Sequence, residues 1–200
     1  ASNTKRWATE IIELCGYSPM AIALTGSYIK ANPDLSVETL IRELREERRL
    51  LKPEGDVDLE EDKNKKETID RNVDPIFNIV FRDMRKETAT VFRKLALFSG
   101  SFDDKAAAGI CGDRDGDHLG RLVALKLLEY DGINKRYFFH DLIHKLIKTE
   151  VRPSEKILTH RNLAFYYFDV LKDANDLYDS DEDALESALN LFDLDWFNIQ

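Results

Sequence analysis

Residues 128–147, LEYDGINKRYFFHDLIHKLI, decide how the rest of the chain reads. Asp131-Gly132 is a strong turn dipeptide, with Leu128 to Tyr130 leading into it. On its far side, Lys135 to Phe139 is a short aromatic run suited to a pleated strand. Together they predict a β-hairpin. Leu142, Ile143, Leu146, Ile147 and Val151 then return to helix spacing, so the hairpin passes straight into a helix at His140-Asp141.

Upstream of the hairpin the apolar period is helical. Ile76, Ile79, Val80 and Met84 mark one helix, and Thr88 to Phe98 another, with Val91, Phe92, Leu95 and Phe98 as its buried side. Asp103 can cap DKAAAGIC, the loop GDRDGD follows, and an amphipathic segment is expected from His118 to Glu129. Three helices closed by a hairpin wing form the winged-helix arrangement.

The first third reads as a small helical bundle. Trp7, Ile11, Ile12, Leu14 and Cys15 line one helix, GYSP breaks it, and MAIALTGSYI is apolar enough to be buried. Ser36 caps a third helix striped by Leu40, Ile41, Leu44 and Leu51. Residues 53–68 are dense in charge and almost free of large apolar groups, the composition of a solvated tether. Pro153 is expected to stop the helix after the wing and Ser154 to cap the next, helical from Glu155 to Leu171; Asp181 to Phe197 forms a last helix or two. The expected fold class is mainly α: a helical bundle (1–52), a charged flexible loop (53–70), a winged-helix domain (71–152) and C-terminal helices opening another helical domain (153–200).

With 43% of its 200 residues apolar, the chain can afford a real core. A net charge of −9 repels nucleic acid and acidic membranes on average. No apolar run approaches the ~20 residues needed to span a bilayer, and no apolar signal core opens the chain. Two isolated cysteines, Cys15 and Cys111, are too few for a disulfide framework, which points to a reducing, cytoplasmic setting. The chain starts without Met and stops mid-pattern in WFNIQ, so it is expected to be a piece of a longer protein.

HDLIH is a near miss of H-E-x-x-H, the zinc-protease motif. Zinc would need both rings to leave one face of a regular helix. His140 instead falls at a strand-to-helix junction, Asp141 is the natural cap, and His144 falls on the polar side of Leu142, Ile143, Leu146 and Ile147. No third ligand is suggested, so no metal site is expected. On residue physics alone, His140 is a half-buried junction residue and Asp141 a helix cap.

Four stretches in order resemble the back half of the NB-ARC nucleotide switch, a branch of the STAND-type ATPases that includes the animal apoptosome scaffold, plant immune receptors and many bacterial regulators. LCGYSPMAIAL resembles the family's C-x-G-L-P-L-A-L stretch, and VFRKLALFSGSFD its first winged-helix helix. RYFFHDLIHKL resembles its M-H-D motif, and HRNLAFYYFDVL with LDLDWFNIQ resembles the lead-in to a helical repeat array. The resemblance implies that Pro19 packs on the adenine ring, that His140 reaches the β-phosphate of ADP, and that Asp141 orients the junction. Tyr17 stands where the family has Gly, and Phe139 where it has Met. No G-x-x-x-x-G-K-[ST] and no strand ending in paired acids occurs, so this chain alone is not expected to be an enzyme. The resemblance implies an upstream P-loop domain that holds ADP or ATP with magnesium, a downstream helical-repeat sensor, and a homo-oligomer of the active full-length protein. Its biology would be cell death, immunity or transcription control.

Two other readings stand beside this one. A helical and winged-helix adaptor without a nucleotide would share the fold. A DNA reader needs a basic recognition helix, but HLGRLVALKLLEY offers only Arg121 and Lys126 against Glu129, with Lys135 and Arg136 on the wing. The charge balance argues against nucleic acid as a partner.

Overall fold

Pro19, at the first position of a helix, and His140, just after a strand, belong to different units of the chain. The computed structural model describes residues 2–51, 71–180 and 185–199. Their contacts separate Ala1–Arg85 with Ala124–Lys126 from Lys86–Val123 with Leu127–Gln200. The charged stretch 53–70, read from sequence as a loop, lies outside the described residues, as do residues 181–184 of the expected last helix.

The first unit holds α1 (Ser2–Leu14), α2 (Pro19–Ala31), α3 (Val37–Leu50) and α4 (Asp74–Arg82). The break between α1 and α2 is a Schellman turn. The Gly16 N–H donates to Glu13 O at 3.0 Å and the Tyr17 N–H to Ile12 O at 3.1 Å, with Gly16 at φ +57°. Glycine is required there twice over, because the Asn72 side chain also occupies the place a Cβ would take. Ser18 caps α2, and Pro19 follows at its first position, where no N–H is needed. Leu24, Leu40, Leu44, Ile76 and Ile79 are fully buried. Helix α4, which the sequence reading grouped with the residues after the charged loop, packs on α2 and α3. Tyr28 Oη donates to Asp83 at 2.5 Å, and Ser27 Oγ to the Leu125 carbonyl at 2.9 Å.

The second unit starts with α5 (Lys86–Leu95), then α6 (Asp104–Ala106), which continues as a π-helical turn (Ala107–Cys111), and α7 (Asp117–Ala124). Asp103 caps α6 as expected, its Oδ1 accepting the Ala106 N–H at 2.8 Å. The hairpin pairs β1 (Glu129–Asp131) with β2 (Arg136–Phe138) antiparallel, with Tyr130 opposite Tyr137. Phe102 adds a bridge on the far side of β2, exchanging backbone hydrogen bonds of 3.0 and 2.7 Å with Tyr137. Then come α8 (Asp141–Thr149), α9 (Pro153–Ser180) and α10 (Leu185–Ile199). Phe92, Leu95, Phe98, Phe102, Leu119, Leu122, Ile143 and Ile147 make the core. The fold is a helical bundle plus a winged-helix-like domain with further C-terminal helices.

Two boundaries differ from the sequence reading. The amphipathic segment expected to reach Glu129 leaves helix at Ala124, Lys126 adopts φ +62°, and Glu129 opens β1. Leu125, Leu127 and Leu128 are all buried, so their apolar pattern continues although the helix does not. Pro153, expected only to stop a helix, is the first residue of α9, where its fixed φ suits the first turn, so Ser154 is not the cap. Helix α9 runs on to Ser180.

Candidate functional site

The junction between β2 and α8 is built from Tyr137 to Ile143. His140 keeps extended backbone (φ −69°, ψ 136°) and is itself the N-cap of α8. Its Nδ1 accepts the Leu142 N–H at 3.3 Å, and its carbonyl accepts the His144 N–H at 2.9 Å. This corrects the sequence expectation: the cap is the imidazole, and Asp141 is the exposed first residue of the helix, where its charge favours the helix N-terminus. The reason is geometric. A cap keeps extended backbone, and His140 is the residue that does so, while Asp141 is already helical.

A ring nitrogen that accepts a hydrogen bond carries no proton, so the His140 proton sits on Nε2. Among the described residues Nε2 has no hydrogen-bond partner. His140 is half-buried. The junction therefore holds a ring bonded to the helix through Nδ1, with Nε2 on its other side.

His144 does different work. It was expected on the polar side of α8, yet its Nε2 donates to the Ala96 carbonyl at 2.9 Å. Its ring stacks on Phe139, centroids 4.7 Å apart. Burial lowers its pKa below the ordinary 6.5, helped by Lys148 and opposed by the Ala96 bond and Asp141. Periodicity hid this inward turn because His144 lies at the edge of the stripe. Among the described residues no group of three or more His, Cys, Asp or Glu side chains is placed to hold a metal ion.

Strand β2 is anchored from its other end. Arg136 is buried, and its guanidinium meets Ser101 and Asp195 of α10. From sequence alone Arg136 reads only as a cation on the wing. Helix α9 is tied down by Arg93, which makes two 2.7 Å bonds to Glu155.

Pro19 stands in the first unit, exposed at the first position of α2. Beside it Tyr17, 70% exposed, adopts φ +57°, a conformation that non-glycine residues seldom take. The structure thus brings His140 and Asp141 together and describes Pro19 separately. Both cysteines are buried; burial raises the Cys15 pKa and pushes that of Cys111 up to about 12, which leaves inert thiols. A cleft of about 580 Å³ in the second unit, lined by Leu163, Tyr167, Phe168 and Asn198 among others, contains none of the three sequence-predicted residues.

The class that fold and junction define is a helical bundle with a winged-helix-like domain, a hairpin strand delivering a capping histidine. Sequence comparison then finds two similar proteins. The chain is 28% identical over 159 residues to the regulatory protein AfsR of Streptomyces coelicolor, a match covering 78% of this chain and 15% of that protein. It is 27% identical over 161 residues to the regulatory protein AfsR of Streptomyces griseus, again 78% of this chain and 15% of the relative. The matched region thus spans about 15% of the length of these relatives. No protein-family model matches the chain. No solved structure matches it. The coarse class is a segment similar to bacterial regulatory proteins. Among the described residues no helix is long and apolar enough to cross a membrane.

Proposed function

We propose that this chain is a regulatory segment of an ATP/ADP-dependent switch, one that holds the resting state by contacting bound nucleotide and relays sensor binding into assembly. The observation that carries the reading is the His140 ring. With Nδ1 committed to the α8 cap, Nε2 is left as a positioned N–H donor at a strand-to-helix junction. Such a donor suits a phosphate oxygen. The resemblance supplies the ligand, with His140 on the β-phosphate of ADP, Asp141 orienting the junction and Pro19 against adenine. The phosphate cradle and the magnesium-binding acids would come from a P-loop domain elsewhere in the full protein, since this sequence contains no G-x-x-x-x-G-K-[ST]. The similarity to regulatory proteins supports the regulatory half of this reading.

Helix α9 supports a further partner. Ile157, Phe165 and Phe168 are exposed along it, an apolar surface that suits packing by additional helices of a sensor. Loss of the histidine contact would favour the open state by the difference in nucleotide affinity between the two states.

The test is His140→Ala in the full-length protein. One hydrogen bond to a charged group supplies about 1.5–3 kcal/mol, so ADP should leave roughly ten- to a hundredfold faster, and basal activity should rise. ADP content is read by chromatography of the purified, denatured protein. Unchanged content and release would make the chain an interaction adaptor in which His140 is only a cap.

A further inference from the structure

We propose that Asp195 on α10 and Arg136 on β2 form a latch, and that the latch positions His140 by fixing the strand that leads into it. The regulatory use of this latch rests on the function proposed above; the latch itself does not.

The geometry is dense for so short a segment. The Arg136 side chain is 8% exposed. Its Nε donates to Ser101 Oγ at 2.8 Å, and its Nη2 to the Ser101 carbonyl and to Asp195 Oδ1, both at 2.5 Å. The same carboxylate oxygen accepts Tyr167 Oη of α9 at 3.3 Å. Further along α10, Asn198 serves the same loop. Its Oδ1 accepts the Ser99 N–H at 3.0 Å and the Gly100 N–H at 2.8 Å, and its Nδ2 donates to the Ser101 carbonyl at 2.7 Å. A Cβ on Gly100 would stand 2.9 Å from Cβ of Phe197, so helix and loop backbone approach as closely as glycine allows.

Three consecutive loop residues, Ser99 to Ser101, therefore find their backbone partners on α10. The next residue, Phe102, pairs with Tyr137 of β2, and β2 passes through Phe139 to His140. If α10 leaves, a buried guanidinium loses its only carboxylate among the described residues, and two N–H groups lose their acceptor. The cost falls mainly on the guanidinium, which keeps its Ser101 bonds but loses its counter-charge, while the amides of exposed Ser99 and half-buried Gly100 can turn to water. With its counter-charge gone, the Arg136 side chain is free to swing toward water, and loop 99–102 and β2 lose the contacts that hold them in place. Movement of β2 carries the cap. In this arrangement a protein that binds α10 and draws it away is sensed at His140 without touching nucleotide. Arg136 and Asp195 are positioning residues for that ring.

The experiment uses the chain itself and the full-length protein. Asp195→Asn keeps the side-chain shape and removes the charge. Amide exchange at Ser99, Gly100 and Tyr137 should speed on the order of a hundredfold, and the His140 ring resonances should move. The double variant Arg136→Met/Asp195→Leu removes the stranded charge and should return both readouts part of the way, the remainder being the Ser101 and Tyr167 groups left without these partners; no return at all would assign the effect to one residue locally. If Asp195→Asn does not fold, Asn198→Ala removes the loop contacts from a half-buried site and is read the same way. Faster exchange confined to α10, with the His140 ring unmoved, overturns the latch. In the full-length protein Asp195→Asn should lower retained ADP. A moved ring with full ADP retention keeps the latch and sinks the nucleotide reading; an unmoved ring with lost ADP does the reverse.

Discussion

The two units use charge in opposite ways. In the first, Arg82 reaches Glu43 and Glu47 at 3.0 Å each from a side chain 52% exposed, and Arg45 pairs with Glu10 at the surface. In the second, Arg93 with Glu155 and Arg136 with Asp195 are paired inside, with arginine side chains 7% and 8% exposed. Water can replace the first kind of pair but not the second. The first unit is held by apolar packing and backbone geometry, with surface pairs as an accessory. The second depends on particular ionic partners, and those partners join its C-terminal helices to the wing and to α5. The unit that carries the capping histidine is thus the one whose helices cannot be exchanged freely.

The contrast is tested most severely by Arg93→Met. It strands Glu155 in a mostly buried place, and urea unfolding should show a loss of about 3–5 kcal/mol. Arg93→Met/Glu155→Leu should recover most of it, and a loss below about 1 kcal/mol for the single variant would put this pair in the same class as the surface ones.

Gly16→Ala should be the next largest effect, about 1–3 kcal/mol by the same measurement, because alanine must accept a positive φ and displace Asn72. It strikes the backbone geometry on which the first unit relies.

Third comes a pH effect in the second unit. His144 has a folded pKa below its unfolded value, so the unfolded chain takes up the proton first as pH falls. Its contribution to stability is complete above the ordinary value of 6.5 and is lost progressively below it, down to the folded pKa. The melting temperature should therefore fall between about pH 7.5 and about pH 5.5, and fall less in His144→Gln, which keeps a donor for Ala96 but does not titrate. Equal slopes for the two proteins would remove His144 as the cause. Glu155 follows the same sign lower down. Its hydrogen bonds from Arg93 hold its pKa below 4.5, so the stability it brings is present above that value and is lost in more acid solution.

Arg82→Ala should cost least, below about 1 kcal/mol, and still less at high salt. A larger cost would show that the surface network of the first unit is cooperative and would blunt the contrast between the units.

Much of this architecture was legible in the sequence, and what escaped did so for identifiable reasons. Asp131-Gly132 marked the hairpin because a turn dipeptide is a local signal, and Asp103 and Ser36 marked helix starts for the same reason. The end of α7 was hidden because Leu125, Leu127 and Leu128 are buried whether helical or not. The junction itself was found, but its cap was assigned to Asp141, since aspartate is the commoner cap and an imidazole cap leaves no compositional trace. The Arg136–Asp195 pair joins residues 59 apart, and no periodicity connects them. Pro19 and Asp141 were singled out as site residues by resemblance alone; local sequence took Asp141 for the cap, one position off its place as the first residue of α8.

The three residues Ala124–Lys126 belong with the first unit although the chain on both sides of them belongs to the second. They contribute the buried Leu125 side chain and the carbonyl that Ser27 binds. In terms of gene dissection, the first unit is discontinuous. A reading frame ending at residue 85 encodes it with a piece missing. Recombination between relatives cannot trade the unit whole unless the exchanged segment runs through residue 126 and takes α5, α6 and α7 along.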